Sequence, residues 1–191
     1  CLYWFSPRHE ERAVARRYVP ITEYPSGVPG FLRYDRSAFP EALATGRWIA
    51  PPYRDVYRDE RFRFDRPTCG VCNKATDERY RWHRSMTNYL PTEVVLDLIG
   101  RLRERYQVVY NRPRASDIVN DHQAIREIGD LEALERKYPD VLTMQALQAR
   151  HPGLGYNELQ MRVYASCERY VSVLGGSSYL ASWFGGVNVV Y

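Results

Sequence analysis

From Pro67 onward, short apolar segments alternate regularly with segments of helical periodicity, and this alternation sets the fold class. The helical pattern is clearest over residues 91–105, where apolar side chains recur at the spacing of one helix face: Leu90, Val94, Val95, Leu98, Ile99 and Leu102. The alternation predicts strands over 69–73, 106–110, 141–144, 170–174 and 188–191, with helices over 91–105, 131–138, 156–168 and 177–184.

Strands that alternate with helices form a parallel sheet connected by right-handed crossovers. We therefore predict an α/β fold, namely a Rossmann-like doubly wound parallel sheet of about five strands over residues 67–191. Residues 1–66 differ, because they are rich in Pro, Tyr and Arg and prolines interrupt any long element. We predict helical turns over 9–18 and 37–45 and loops or extended pieces elsewhere. We interpret residues 1–66 as the irregular remnant or cap of an N-terminal domain.

Composition narrows the class of protein. The chain is 45% hydrophobic and 26% charged, which excludes a disordered or fibrous chain.

No run of about 18 apolar residues is present, so we expect no transmembrane segment, and we expect no signal peptide. The formal net charge is +4, with basic and acidic side chains evenly mixed, which argues against nucleic acid as the main partner. The missing initiator Met and the apolar last residues suggest a fragment.

Parallel sheets bind ligands beyond the carboxyl ends of their strands. Polar residues follow four of the predicted strands: Asn73 and Lys74, Asn111 to Arg114, Gln145, and Gly175 to Ser178. These side chains are expected at one edge of the sheet.

The turn Gly175-Gly176-Ser177-Ser178 is the sharpest local signal. Glycines let a ligand approach the main chain, and free N–H groups at the start of the following helix bind phosphate or diphosphate. The alternative is a tight strand-to-helix turn with a serine as N-cap. The turn matches neither the P-loop pattern nor G-x-G-x-x-G.

Two further clusters have a functional and a structural interpretation. Arg112 and Arg114 either hold phosphate oxygens or a substrate carboxylate, or are solvated loop arginines. Asp117, Asp121 and His122 offer a general base, although a structural role is favoured. His83 lies in the long loop after the first strand, from which a side chain can reach a cleft.

The four cysteines do not make a disulfide framework for a chain of this size, which indicates a reduced setting. Cys69 and Cys72 form a C-x-x-C, but no second cysteine or histidine pair completes a zinc site. We therefore predict no metal site, and we expect these cysteines to lie in a short buried strand.

An ordered series of motifs resembles the nucleotide-binding half of GT-B type glycosyltransferases, in particular bacterial and viral members. The resemblance covers about residues 67–191 and rests on Asn73-Lys74, Trp82, Asn88-Tyr89-Leu90, Tyr106-Gln-Val-Val-Tyr-Asn-Arg-Pro113, Tyr156-Asn157-x-x-Gln160, the stretch from Leu174 to Gly186, and Asn188. It implies two facing Rossmann-like domains, with a sugar nucleotide held mainly by the C-terminal one.

The resemblance implies a donor diphosphate held by Gly175, Gly176, Ser177 and Ser178, with help from Arg112 and Lys74. It implies that the base and ribose lie near Met144, Gln145 and Asn157. No cofactor and no metal are expected, since the sugar nucleotide is a substrate and helix dipoles with basic groups neutralise its charge. A complete enzyme of this type also has an N-terminal Rossmann-like domain, which residues 1–66 are too short to supply.

The resemblance therefore implies a glycosyltransferase that moves a sugar from a nucleotide donor to a glycan or lipid-linked acceptor in surface polysaccharide assembly. Such an enzyme is expected in the cytoplasm, at the inner face of the membrane, and the fragment alone is expected to lack catalysis. Two alternatives stay open: a nucleotide-binding or scaffold domain without turnover, and a nucleic-acid binder that uses the Arg/Tyr-rich N-terminal segment.

Overall fold

The computed structural model describes residues 52–76, 89–117, 125–173 and 176–191, and the backbone of 21–23 and 32–34. The chain divides into two compact units, Cys1–Pro52 and Tyr53–Tyr191. In the first unit, β1 (Ile21–Glu23) pairs antiparallel with β2 (Leu32–Tyr34). The helical turns predicted over 9–18 and 37–45 lie outside the described residues.

The second unit alternates strands and helices. In chain order its elements are α1 (Tyr53–Val56), β3 (Thr68–Cys72), α2 (Thr92–Leu102), β4 (Gln107–Asn111), α3 (Asp130–Lys137), β5 (Leu142–Thr143), α4 (Met144–Arg150), α5 (Tyr156–Ser166), β6 (Arg169–Ser172), α6 (Gly176–Trp183) and β7 (Val187–Val190), with 3-10 turns at Glu60–Phe62 and Ala115–Asp117.

The five strands β3 to β7 form one all-parallel sheet in the order β5-β4-β3-β6-β7. The predicted Rossmann-like α/β fold is confirmed. The chain builds outward from β3 through β4 to β5 and then returns to the other side of β3, where it places β6 and β7. The order therefore reverses between β3 and β6, and the crevice at the carboxyl ends of these two strands is where doubly wound sheets bind ligands.

Apolar side chains on both faces of the sheet form the core. On one face, α2 and α3 pack against β3 and β4 through a cluster that includes Val71, Val95, Ile99, Val108 and Leu134. On the opposite face, the ring of Tyr170 in β6 crosses so close to β3 that a Cβ at Gly70 would lie 3.2 Å from it, and Tyr164 of α5 packs edge-on against the same ring at 5.6 Å. Burial of both faces explains why β3 is apolar along its length rather than alternating.

The third strand of the sheet differs from the prediction. A strand over 141–144 was expected, whereas β5 covers two residues and α4 begins at Met144. The hydroxyl of Thr143 accepts a hydrogen bond from the backbone N–H of Ala146 at 3.1 Å, which is an N-cap. The cap ends the strand early and turns the chain into a helix that was not predicted.

The segment before β3 belongs to the second unit, although we had grouped it with the N-terminal remnant. Arg54 in α1 donates to main-chain carbonyls at the ends of two helices: Ala165 in the last turn of α5 and Cys167 just after it, and Phe184 and Gly185 after α6. Phe62 is fully buried, and its ring lies 4.9 Å from the ring of His151. The compact unit that contains the sheet spans Tyr53–Tyr191.

Candidate functional site at the carboxyl edge of the sheet

At the switch point of the sheet, Asn73 and Lys74 follow β3, and Val173 and the start of α6 follow β6. The first N–H groups of any α-helix have no partner within the helix, and they carry its positive end. The start of α6 thus brings main-chain donors to the switch point of the sheet. This is the geometry by which such folds bind phosphate groups.

The glycine-serine turn is partly open to solvent. Gly176 is exposed, Ser177 is half-buried and Ser178 is buried, while Leu174 and Gly175 lie outside the described residues. Of the described residues of this turn, only Gly176 and Ser177 are therefore accessible to a ligand. Ser178 faces the protein.

Asn188 in β7 fixes α6 to the sheet. Its Nδ2 donates to the carbonyl oxygen of Ser178 at 3.0 Å and to the hydroxyl of Ser182 at 3.1 Å, and its Oδ1 accepts from the hydroxyl of Ser172 at 2.8 Å. One amide thus ties β6, α6 and β7 together. A helix held in this way presents its N-terminal donors in a fixed position.

Asn73 holds the loop that follows β3. Its side chain is buried, donates to the carbonyl oxygen of Leu90 at 3.0 Å and to the hydroxyl of Tyr110 at 3.1 Å, and accepts from the backbone N–H of Leu90. These bonds fix the main chain at Leu90 to the end of β3. Lys74 follows at the edge and is half-buried.

Arg112 does not face the crevice. Its side chain is fully buried, with Nε 3.1 Å from Oδ2 of Asp130, Nη1 2.8 Å from the carbonyl oxygen of Pro113, and Nη2 bonded to the carbonyl oxygen of Arg126. Tyr110 donates to the same oxygen of Asp130, while the other oxygen, Oδ1, has no hydrogen-bond partner. In this structure the Arg112 guanidinium holds loops together and is fully buried, so it is not exposed to a diphosphate at the sheet edge.

The residues predicted to contact the base and ribose separate into different environments. Met144 is fully buried, Gln145 is half-buried at the sheet edge, and Asn157 is exposed near the start of α5. Of these three residues, Gln145 is the one that hydrogen-bonds to other polar groups at the carboxyl edge of the sheet. Its Nε2 donates to the carbonyl oxygen of Arg112 at 2.8 Å and to Oδ2 of Asp117 at 3.0 Å. Its Oε1 is buried without a hydrogen-bond partner.

Asp117 lies beyond β4, in the loop where a general base was one hypothesis. Its Oδ2 accepts from the backbone N–H of Arg114 at 2.7 Å as well as from Gln145. The carboxylate is half-buried and close to Tyr156. Burial first, and the Asp117 charge second, raise the pKa of Tyr156 far above its usual range, so this hydroxyl stays protonated.

Beneath Asp117, a chain of hydrogen bonds leads into the interior. Tyr156 donates to Oδ1 of Asn111 at 2.6 Å, and Nδ2 of Asn111 donates to the hydroxyl of Tyr164 at 2.7 Å. The Tyr164 hydroxyl is 2.8 Å from Sγ of Cys72. Sequence reasoning did not predict this network, although the motif Tyr156-Asn157-x-x-Gln160 contains two of its members, Tyr156 and Gln160, which donates to Tyr164.

The cysteines of the described part of the chain are structural. Cys69, Cys72 and Cys167 are free and buried, and burial raises the pKa of Cys69 to about 11 and that of Cys72 to about 12. The described ranges contain no group of three or more side chains able to hold a metal ion. Nor does any helix within them have the length and apolar character to cross a membrane.

Other candidate groups cannot be placed. His9, His83, Asp121 and His122 lie outside the described residues.

Comparison with protein families, with curated proteins and with solved structures gives no significant match to this chain.

Proposed function

We propose that the Tyr53–Tyr191 unit binds the diphosphate of a sugar nucleotide at the β3–β6 crevice and serves as the donor-binding half of a metal-independent glycosyltransferase. The observation that carries the proposal is the start of α6, where Gly176 is exposed and Ser177 half-buried at the switch point of a parallel sheet. Main-chain donors at such a position bind phosphate groups.

The charge of the surrounding chain supports an anionic ligand. Residues 173–191 contain no acidic side chain, so no carboxylate from α6 or β7 opposes a diphosphate. Lys74, directly beyond β3, adds a positively charged residue to the carboxyl edge of the sheet. The anchoring of α6 by Asn188 keeps the helix donors in place as charge develops on the ligand.

These donors fit the chemistry of sugar transfer. As the bond between the anomeric carbon and the diphosphate oxygen breaks, negative charge grows on the leaving diphosphate, while the acceptor hydroxyl oxygen bonds to the anomeric carbon and releases its proton to solvent. Preorganised N–H groups stabilise such charge at no reorganisation cost. The acceptor proposed is a glycan or lipid-linked hydroxyl, and the unit would supply the donor side of the reaction.

The proposal is tested by calorimetric titration of the chain with UDP, GDP, ADP and TDP. We expect at least one of these diphosphates to bind, and the Ser177→Asp variant to weaken that binding by at least about tenfold, because it places a carboxylate in the anion site. The same substitution favours the helix, since acidic residues stabilise a helix N-terminus. Loss of binding through unfolding is thereby separated from loss through repulsion.

Ser177→Thr is the matched control, since it keeps the hydroxyl and adds no charge, and it should bind close to wild type. Failure of all four diphosphates to bind would overturn the proposal. Release of the diphosphate from the matching sugar nucleotide, measured with and without glycan acceptors, tests turnover. Binding without release under all conditions would instead favour a nucleotide-binding domain without turnover.

A further inference from the structure

We infer that β7 is an interaction edge at which a second copy of this chain adds its own β7 in antiparallel orientation, so that two five-stranded sheets become one. The inference goes beyond the proposed function, because it does not depend on what the carboxyl edge of the sheet binds. β7 lies at one end of the strand order, and within the described ranges its outer side pairs with no strand.

The two edges of the sheet differ in how they are protected. At one edge, β5 has two residues and α4 begins directly after it, so this edge offers little main chain to another strand. At the other edge, β7 has four residues, and residues 173–191 contain neither a charged side chain nor a proline. Short strands, charges and prolines are the devices that keep sheet edges from pairing. β5 has such a device, whereas β7 has none of the three.

The side chains of β7 are apolar and exposed. The exposed fraction is 51% for Val187, 58% for Val189 and 47% for Val190, and it is 66% for Tyr191, which follows the strand. These are four of the seven large apolar side chains that are exposed in the described part of the chain, so apolar exposure is concentrated at this edge. An exposed, uncharged strand rich in β-branched residues is a template for pairing with another chain.

The main chain of β7 has an inner and an outer side. The N–H of Val187 donates to the carbonyl oxygen of Glu168, on the β6 side, at 3.2 Å. Successive residues of a strand alternate in direction, so the N–H and carbonyl groups of Asn188 and Val190 point away from β6. These outward groups are the ones that an added strand can bond.

A second copy of the chain is complementary to this edge. When two β7 strands pair antiparallel about a twofold axis, Asn188 of each copy bonds Val190 of the other. The two Val189 side chains then face each other at the axis, and Val187 of each copy lies opposite Tyr191 of the other. Such apolar cross-strand pairs stabilise a sheet, and no like charges meet because the strand carries none. The twofold pairing closes on itself, so it produces a dimer and not a filament.

Sedimentation velocity from about 5 to about 500 µM protein tests for the dimer. We expect the wild-type chain to shift from monomer toward dimer as its concentration rises. Val189→Lys places two ammonium groups opposite each other, and Val190→Pro removes an outward N–H while leaving the bonds to β6. Each should weaken dimerisation by at least about tenfold. Val94→Lys, the same change at an exposed valine of α2, is the control and should dimerise like wild type.

Cross-linking tests the register of the two strands. In a Cys1→Ser background the remaining native cysteines are buried, so an added surface cysteine is the accessible thiol. Val189→Cys should form a disulfide between two copies under mild oxidation, because Cα atoms of a non-hydrogen-bonded pair are about 4.5 Å apart. Val187→Cys, on the same face, should not, since its two copies lie about 14 Å apart along the strands.

A chain that stays monomeric over the whole concentration range would overturn the inference. So would a dimer that persists in folded Val189→Lys and Val190→Pro variants, because it would use another surface. Cross-linking of Val187→Cys as readily as Val189→Cys would exclude this pairing. The wild-type sedimentation and the cysteine variants introduce no charge and no proline, so they decide the question even if the other variants fail to fold.

Discussion

The side-chain amide of Asn188 donates to the carbonyl oxygen of Ser178 at 3.0 Å, across the interface between β7 and α6. The same amide bonds to Ser172 and Ser182, so a single residue connects two strands and a helix. The start of α6 therefore owes its position to a residue that follows the helix in the chain.

We predict that Asn188→Ala lowers the free energy of unfolding by about 1–3 kcal/mol, because it leaves the Ser172 hydroxyl and the Ser178 carbonyl without this partner. Urea denaturation followed by circular dichroism measures the change. Asn157→Ala, at an exposed position, is the control and should stay within about 0.5 kcal/mol of wild type. An unchanged midpoint for Asn188→Ala would show that α6 is held by other contacts.

The two glycines after α6 should tolerate alanine to different degrees. Both have positive φ, 73° at Gly185 and 87° at Gly186. A Cβ at Gly185 meets no atom within 4 Å, whereas a Cβ at Gly186 overlaps the main-chain carbonyl of Glu168. We expect Gly185→Ala to cost about 1–2 kcal/mol for the left-handed backbone alone, and Gly186→Ala to cost clearly more. Equal losses in thermal and chemical denaturation would contradict this account.

The buried ion pair of Arg112 and Asp130 predicts a strong stability effect. Arg112→Ala should lower the free energy of unfolding by about 3–5 kcal/mol, because it leaves the Asp130 carboxylate buried without its cation. Adding Asp130→Asn should recover part of the loss. Arg103→Ala removes an ion pair to Asp140 that is largely exposed, and it should cost no more than about 1 kcal/mol. Similar losses for the two arginine variants would argue against the buried pair.

The thiols should be unreactive in the folded protein. In a Cys1→Ser variant the remaining cysteines are the three buried ones, and the raised pKa values of about 11 and 12 at Cys69 and Cys72 disfavour the reactive thiolate. We expect no labelling by a chromogenic disulfide reagent at pH 8 until denaturant is added, and then three thiols per chain. Rapid labelling of the native variant would contradict the burial of this cluster.

Asp59 should make the free energy of unfolding depend on pH in the acidic range. Its bond to the Arg61 guanidinium, with help from Arg162, holds the pKa of Asp59 well below its usual 3.8. Because the folded-state pKa is depressed, the contribution is complete above the unfolded value and is lost as pH falls below it. Arg61 is about half exposed, so we expect Asp59→Asn to cost about 1 kcal/mol at pH 7, and less as the pH falls below 4. A difference from wild type that stays constant from pH 7 to 2 would refute this.

The alternation of strands and helices could be predicted because each element carries its own periodicity. Val95 and Ile99 mark the buried face of α2, and the apolar run of β3 marks a strand covered on both faces. Helix α4 was not predicted because β5 is only two residues long and the helix begins directly after it. In the sequence, the N-cap Thr143 is the one residue that distinguishes the start of a helix from a continuing strand.

The site was harder to predict because its contacts join distant parts of the chain. Arg112 follows a strand, as a phosphate-binding residue would, but its partner Asp130 lies 18 positions later and its pairing depends on how α3 packs. The carboxylate of Asp117 and the amide of Gln145 are 28 positions apart. No local sequence pattern encodes such pairs, whereas the four residues of the glycine-serine turn are contiguous and form a motif that can be identified directly in the sequence.

Arg54 closes the ends of two helices with one guanidinium, although its partners lie more than 100 positions away in the chain. A gene fragment that encodes this sheet must therefore include α1 if the sheet is to fold in another protein. A fragment that starts just before β3 would leave the main-chain acceptors at the ends of α5 and α6 without the Arg54 guanidinium. The segment that must be transferred intact is thus longer than the sheet itself.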